Sequence, residues 1–343
     1  MKRHLSLTAA FVALIGAASA QSTATTDPVG FVSVTVPAQS DAVLAVPLNR
    51  AAAFKGKIKN ISGSIITVEG TPAWTANQFV QNIPTQNDTF AIQLATGTKE
   101  GLIAKVTANG VDTLTLQLDA GDDLSGVKTG DVDGILNADE IDVMPYWTPA
   151  ALIPASTALA DNTEFQIFPN TVAGQNLASA KVLVFFATFG WFDSSDFSDA
   201  NNLSVSFGGG FVLRNVGGSP ATVSMVGSVP MSANRHTFRT LAANTAQDQR
   251  FGYMSPIPEI IGDVALGFSD FDELHVFDNA ASGINKSASK VLVFASGHWY
   301  DSADFSDVTT TFQLQPGFGY LFRKAATANP QNFVWSKLQS YLQ

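Results

Sequence analysis

Lys181-Val-Leu-Val-Phe185 recurs unchanged as Lys290-Val-Leu-Val-Phe294. The residues after each copy recur too. Trp191-Phe-Asp-Ser-Ser-Asp-Phe-Ser-Asp199 matches Trp299-Tyr-Asp-Ser-Ala-Asp-Phe-Ser-Asp307, and Gly208-Gly-Gly-Phe-Val-Leu-Arg214 matches Gly317-Phe-Gly-Tyr-Leu-Phe-Arg323. Five consecutive identities, an aligned Trp and an aligned Asp triplet mark residues 165–214 and 274–323 as two copies of one unit. Each unit reads as a strand, a turn, the KVLVF strand, a Trp turn, an acidic loop, a strand, a Gly turn and a strand ending in Arg. Alternation sets Leu183 and Leu292 on one face of their strands, and Val182, Val184, Val291 and Val293 on the other. Two copies do not imply a long solenoid.

Period-two alternation continues outside the repeat. Val32, Val34 and Val36 form one set; Phe90, Ile92 and Leu94 another; Leu114, Leu116 and Leu118 a third; Leu203, Val205 and Phe207 a fourth. Such runs bury one face of an antiparallel sheet, and Gly and Pro clusters punctuate them at short intervals. Phe54 to Val68 reads as two strands joined at a Ser-Gly turn. Asn109-Gly110 predicts a two-residue hairpin, because both residues tolerate positive φ. Helical periodicity is confined to a short segment near Thr75–Asn82 and a C-terminal turn or helix around Lys337–Leu342. The expected fold is all-β: an N-terminal small barrel or sandwich over 21–145, then two tandem repeated antiparallel β modules over 146–229 and 230–343.

The first 20 residues have a different pattern. Lys2, Arg3 and His4 precede an apolar run from Leu5 to Gly16, and Ala18-Ser19-Ala20 places small residues before Gln21. This is the three-part pattern of a secretory signal peptide. It predicts export to the periplasm, the outer surface or the exterior. No later stretch reads as a transmembrane helix; Met144–Ala160 is interrupted by Pro145, Pro149 and Pro154. The absence of cysteine excludes a disulfide framework, a thiolate metal site and a cysteine nucleophile. A formal charge of −10 argues against nucleic acid, whose backbone is held by clustered Lys and Arg.

Several segments resemble a verrucomicrobial family of exported proteins without an assigned function. They are Asp27-Pro-Val-Gly-Phe-Val-Ser-Val-Thr-Val-Pro37, Ala95-Thr-Gly-Thr-Lys-Glu-Gly-Leu102, Val106-Thr-Ala-Asn109 and Met144-Pro-Tyr-Trp-Thr148. The resemblance covers most of the chain. It implies export and a β-rich body, and it offers no catalytic residues. The repeats also resemble short β modules common in bacterial surface proteins.

Among candidate sites, the acidic stretch Asp119–Asp142 holds eight carboxylates against one Lys128. With Gly134 at the sharp turn, Asp131, Asp133, Asn137 and Glu140 fall on positions three, five, nine and twelve of a calcium loop, with Thr129 in place of the first ligand. The alternative is a solvated acidic loop. The triplets Asp193, Asp196, Asp199 and Asp301, Asp304, Asp307 would either converge on calcium or form Asx-turns that hold their own loops. Trp191 and Trp299 would either stack on a sugar ring or cap a sandwich core. His236, His275 and His298 have no metal-ligand spacing, no GxSxG elbow occurs, and no catalytic motif is found. The sequence therefore suggests an exported non-enzymatic structural or binding protein, without a cofactor unless calcium binds, whose partners are envelope or matrix components or glycans. Its rivals are a carbohydrate-binding or carbohydrate-active protein and an outer-membrane β-barrel.

Overall fold

A computed structural model describes residues 27–80, 88–154, 157 and 159–343. The leader-like segment and residues 81–87 lie outside the described residues. The chain is almost entirely β. It begins with β1 (Val29–Val36) and β2 (Ser40–Ala45), which stand apart from the barrel. That barrel is made of β3 (Phe54–Ser62), β4 (Ile65–Val68), β5 (Phe90–Leu94), β6 (Ile103–Asn109), β7 (Thr113–Gln117) and β8 (Glu140–Pro145), closed in the order β3-β4-β7-β6-β5-β8. Two one-turn helices, α1 (Gly130–Asp133) and α2 (Pro149–Leu152), flank β8.

Alternation decides which way the barrel faces. Ile58, Ile66, Ile92, Val106, Leu114 and Val143 point inward and are fully buried in one cluster. Lys55, Lys59, Lys105, Gln117 and Glu140 lie on the exposed side. The Ser-Gly turn joins β3 to β4 as expected, with Gly63 at φ 60°. The Asn109-Gly110 hairpin takes another form. Residues 110–112 separate β6 from β7, and neither Asn109 nor Gly110 has positive φ. Asn109 is instead a buried clamp: its Oδ1 accepts from Phe79 N–H at 2.9 Å and its Nδ2 donates to Thr75 O at 2.9 Å. Those bonds hold residues 76–79 as turns rather than the helix expected near 75–82, whose last two residues lie outside the described ones, and Trp74 and Phe79 cover the barrel end beside Phe54 and Phe90.

Beyond the barrel come β9 (Glu164–Ile167), β10 (Lys181–Phe186), β11 (Gly190–Asp193), β12 (Gly210–Asn215) and β13 (Ala221–Ser228). The last part holds β14 (Asn234–Thr240), β15 (Gln247–Gly252), β16 (Glu259–Ile260), β17 (Glu273–Val276), β18 (Lys290–Ala295), β19 (His298–Asp301), β20 (Gln313–Leu314), β21 (Gly319–Lys324) and β22 (Gln331–Lys337). Two five-stranded sheets result, β11-β10-β9-β12-β2 and β19-β18-β17-β21-β15, each beside a two-stranded ribbon, β1-β13 or β14-β22. The strand orders correspond one for one. The first module therefore draws β1 and β2 from before the barrel, and the barrel is an insertion between β2 and β9. This redraws the expected boundary at residue 145, because residues 29–45 pair with β12 and β13 and not with the barrel. The expected strand at 203–207 shrinks to one bridge, Trp147 to Val205. Its counterpart is the two-residue β20. The chain closes with a 3-10 turn, Ser340–Leu342.

The Arg that ends each repeat joins the two modules. Arg214 donates to both carboxylate oxygens of Asp41, at 2.8 and 3.1 Å, and to Asn285 of the other module at 2.6 Å. Arg323 does the same with Asp248, at 2.7 and 3.1 Å, and with Asn176 at 3.3 Å. Each carboxylate also accepts the backbone N–H of that asparagine, at 2.6 and 2.7 Å. At the centre of this arrangement β2 and β15 cross closely enough that a side chain on Gly252 would collide with Ala45.

Two outcomes are expected of this packing. Leu183 and Leu292 are fully buried, whereas Val184 and Val293 are only partly covered. Leu183→Ala and Leu292→Ala should each cost roughly 2–5 kcal/mol in urea unfolding, and Val184→Thr under about 1 kcal/mol; equal losses would contradict the packing. Asp248→Ala should cost roughly 1–3 kcal/mol, because it removes the bidentate partner of Arg323 and the acceptor of Asn176 N–H and leaves Arg323 the longer contact to Glu273 at 3.3 Å. Adding Arg323→Met should recover part of that loss, and a strictly additive double variant would show the pair to be uncoupled.

Candidate functional site

The acidic triplets occupy their own loops. Asp193 accepts from Ser195 N–H (3.0 Å) and from the Lys181 ammonium; Asp196 accepts from Ser198 N–H (2.9 Å) and Asp199 from Asn201 N–H (2.8 Å). The second copy repeats this: Asp301 to Ala303 (3.1 Å) and Lys290, Asp304 to Ser306 (2.9 Å), Asp307 to Thr309 (2.9 Å). These are Asx-turns, in which a carboxylate bonds a backbone N–H two residues on. Hydrogen bonds from Ser198, Ser306 and Thr309 lower the pKa values of Asp196, Asp304 and Asp307. Lys181 and Ser195 bring Asp193 down to about 2.

The calcium-like loop is also taken up internally. Asp131 and Asp133 lie in α1, and Asp133 accepts from Thr129 N–H at 2.8 Å. Asn137 donates its side-chain amide to Asp133 O (2.9 Å). Lys57 donates to the carbonyls of Ile135 (2.9 Å) and Leu136 (3.1 Å) and faces Glu140 at 3.9 Å. The Ile135 carbonyl is the one a calcium loop would offer at position seven. A lysine ammonium therefore stands where that oxygen would meet the ion. Among the described residues, no three acidic or histidine side chains gather in a way that could hold a metal.

Trp191 and Trp299 are buried, at 0% and 1% exposure, so neither offers a face to a sugar. Their indole N–H groups donate to Ile153 O (3.0 Å) and Leu266 O (2.8 Å). The sugar-stacking expectation is corrected by this burial: both side chains are core. His275 pairs with Glu273 at 2.7 Å as Gln166 pairs with Glu164 at 2.7 Å, so the imidazole does what an amide does in the sister copy.

A site that composition does not reveal lies where the three units meet. It is a cavity of about 530 Å³. The barrel contributes Lys105, Asp119 and Asp122. The first module contributes Tyr146, Phe168 and Phe207; the second contributes Arg235, His236, Arg239 and Arg250. Four basic side chains thus face two acidic ones, in a protein with an acidic excess. Arg235 is paired with Asp122 (2.8 Å) and Arg239 with Asp119 (3.3 Å). Arg250 has no carboxylate within ion-pair distance among the described residues. Its guanidinium lies 4.1 Å above the Phe168 ring and 5.3 Å from Phe277, and its Nε and Nη1 are shielded without a hydrogen-bond partner. Burial lowers its pKa to about 10. The His236 ring sits 4.6 Å from Phe238 and its Nε2 is likewise shielded and unpaired. Burial, aided by Arg239, lowers its pKa to about 4.

The sequence held a faint signal of this site. Arg235, Arg239 and Arg250 cluster within sixteen residues of a chain that is only 14% charged. Nothing in the spacing said that a loop from the first module and a barrel wall would close around them. No protein-family model matches the chain, and no curated protein or solved structure is detectably similar to it.

His236 gives a pH signature. Its folded pKa lies below the ordinary value of 6.5, so the unfolded chain binds a proton that the folded one refuses. Stability is therefore full above about pH 6.5 and falls as pH drops toward 4, by roughly 2–3 kcal/mol from this group. His236→Gln should flatten the pH 4–7 part of the unfolding profile. An unchanged slope would mean that His236 protonates freely in the folded protein.

Proposed function

We propose that this is an exported, non-enzymatic binding protein of the cell envelope or exterior, which holds a small organic anion in the cavity between its three units. Arg250 carries the reading. Its guanidinium lies against the Phe168 and Phe277 rings, whose cation–π attraction offsets part of its desolvation, but no carboxylate among the described residues supplies the opposite charge. A bound anion would supply that charge, and Tyr146, Phe168 and Phe207 offer apolar surface to the rest of a ligand. Export rests on the basic start, apolar run and Ala-Ser-Ala site of the first 20 residues.

The rival readings have less behind them. Sugar recognition through the repeated Trp loses its support with the burial of both indoles. A membrane barrel has an apolar outer band and a polar interior. This barrel has the reverse: a packed aliphatic interior and Lys, Gln and Glu outside. Calcium plays no part in the proposal.

Arg250→Met separates binding from folding. In ligand-free protein it should change urea stability by under about 1 kcal/mol, because the lost cation–π attraction offsets the relieved desolvation. The same variant should bind benzoate and citrate at least tenfold more weakly in calorimetric titration. Strong destabilisation together with unaltered carboxylate binding would make Arg250 a structural residue and end the proposal.

A further inference from the structure

The correspondence between the two modules breaks at one point, and that point opens into the cavity. Along β2 the outward-facing backbone groups belong to Asp41, Val43 and Ala45, and all three N–H groups are bonded. Asp41 donates to Gly283 O (2.9 Å), Val43 to Asn279 Oδ1 (2.8 Å) and Ala45 to Gly317 O (3.0 Å). Asn279 also returns a bond from Nδ2 to Val43 O at 2.9 Å. A side-chain carboxamide therefore clasps both polar groups of Val43, and Asn279 is only 2% exposed.

Along β15 the equivalent residues are Asp248, Arg250 and Gly252. Asp248 donates to Gly174 O (3.0 Å) and Gly252 to Gly208 O (2.9 Å), matching the outer two positions of β2. Arg250 stands opposite Leu321 as Val43 stands opposite Val212, so its N–H and C=O face the same outward side. The bridge between Gly209 and Phe251 turns Gly210 N–H toward the Arg250 carbonyl, as the bridge between Leu44 and Phe318 turns Gly319 N–H toward that of Val43. A carbonyl has two lone pairs, and at Val43 the second belongs to Asn279. At Arg250 no carboxamide is in that place, and no partner for its N–H is found among the described residues. Asn170, which aligns with Asn279 in the repeat, is exposed on the cavity rim instead. Val43 is also replaced here by an arginine, whose guanidinium lies against Phe168 two residues before Asn170. The open stretch is one residue long, because its neighbours on both sides are already bonded. It cannot take an added β-strand, but it fits a single planar group.

We propose that the cavity recognises a small organic anion bearing a primary carboxamide. The amide oxygen accepts from Arg250 N–H and the amide nitrogen donates to the second lone pair of Arg250 C=O, as Asn279 does at Val43, while the anionic group meets the Arg250 guanidinium. This rests on the anion-binding reading and adds the group that is selected. An anion held at the guanidinium without an amide leaves the Arg250 N–H unpaired in a partly desolvated wall. Such loss discriminates strongly between ligands.

The test uses the full folded protein, labelled for amide NMR, with N-acetyl-L-asparagine and N-acetyl-L-leucine as probes. Both carry a carboxylate and differ in the carboxamide. Without probe, the Arg250 amide should exchange with solvent at least a hundredfold faster than that of Val43. N-acetyl-L-asparagine should shift the Arg250 amide resonance, slow its exchange and bind at least tenfold tighter than N-acetyl-L-leucine. Arg250→Gln, which keeps the backbone groups, should weaken both probes while preserving the preference. Equal binding of the two probes, dependent on Arg250, would overturn the carboxamide assignment and leave anion binding standing. Failure of both probes to move any cavity resonance would overturn both. An Arg250 amide as protected as Val43 in the free protein would mean that the clasp is already closed, by Asn170 or otherwise, and would equally overturn the assignment.

Discussion

A guanidinium on the fourth strand of each sheet reaches a carboxylate on the fifth and, with the same group, an asparagine of the opposite module. Bidentate geometry fixes direction as well as distance, so each pair aligns an edge strand and docks a foreign loop at once. In the first module this matters most. β2 and β12 are separated by the entire barrel, and a long intervening loop adds closure entropy that contacts at its ends must offset. The Arg214–Asp41 pair is one such contact, beside the six-residue β2–β12 ladder and the eight-residue β1–β13 ladder. The barrel is thereby anchored at both ends by a module that closes around it in sequence.

The same exchange of loops explains why a cavity exists. Had both modules closed alike, an asparagine would cover Arg250 as Asn279 covers Val43. Instead the Arg250 guanidinium stacks on Phe168, and Asn170 two residues on is exposed. The two modules, with corresponding strand orders, therefore carry a filled seam on one side and an open one on the other. The barrel wall, with Asp119 and Asp122 drawn in by Arg239 and Arg235, completes the open side.

The acidic excess has a different use from the one its clustering invites. Asp at intervals of three, with Ser, Thr, Asn or Ala two residues on, gives successive Asx-turns, each carboxylate serving one backbone N–H. Hydrogen bonds of this kind favour the ionised form without requiring a counter-ion. In the loop around Gly134, the cation that meets the free carbonyls is Lys57, delivered from β3 across the barrel surface.

Some of this was legible in the chain alone. Alternation put Leu183 and Leu292 on the face opposite their neighbouring valines, because side chains on a strand have only two sides to occupy; the packing decided which of the two is buried. The repeat announced two similar modules, and the alternation before residue 146 announced a barrel or sandwich, placed over 21–145 although β1 and β2 belong elsewhere. Those are local patterns, carried by neighbours in sequence. What the chain could not disclose is non-local. That β2 belongs to the module after the barrel depends on its ladder with β12 and on the Asp41–Arg214 pair, both formed between residues far apart in sequence. That Trp191 and Trp299 face the core depends on which carbonyl lies beneath each indole. Val43 is clasped by Asn279, whereas Arg250 stacks on Phe168 beside an exposed Asn170, a difference that exists only once strands distant in sequence have crossed at Ala45 and Gly252.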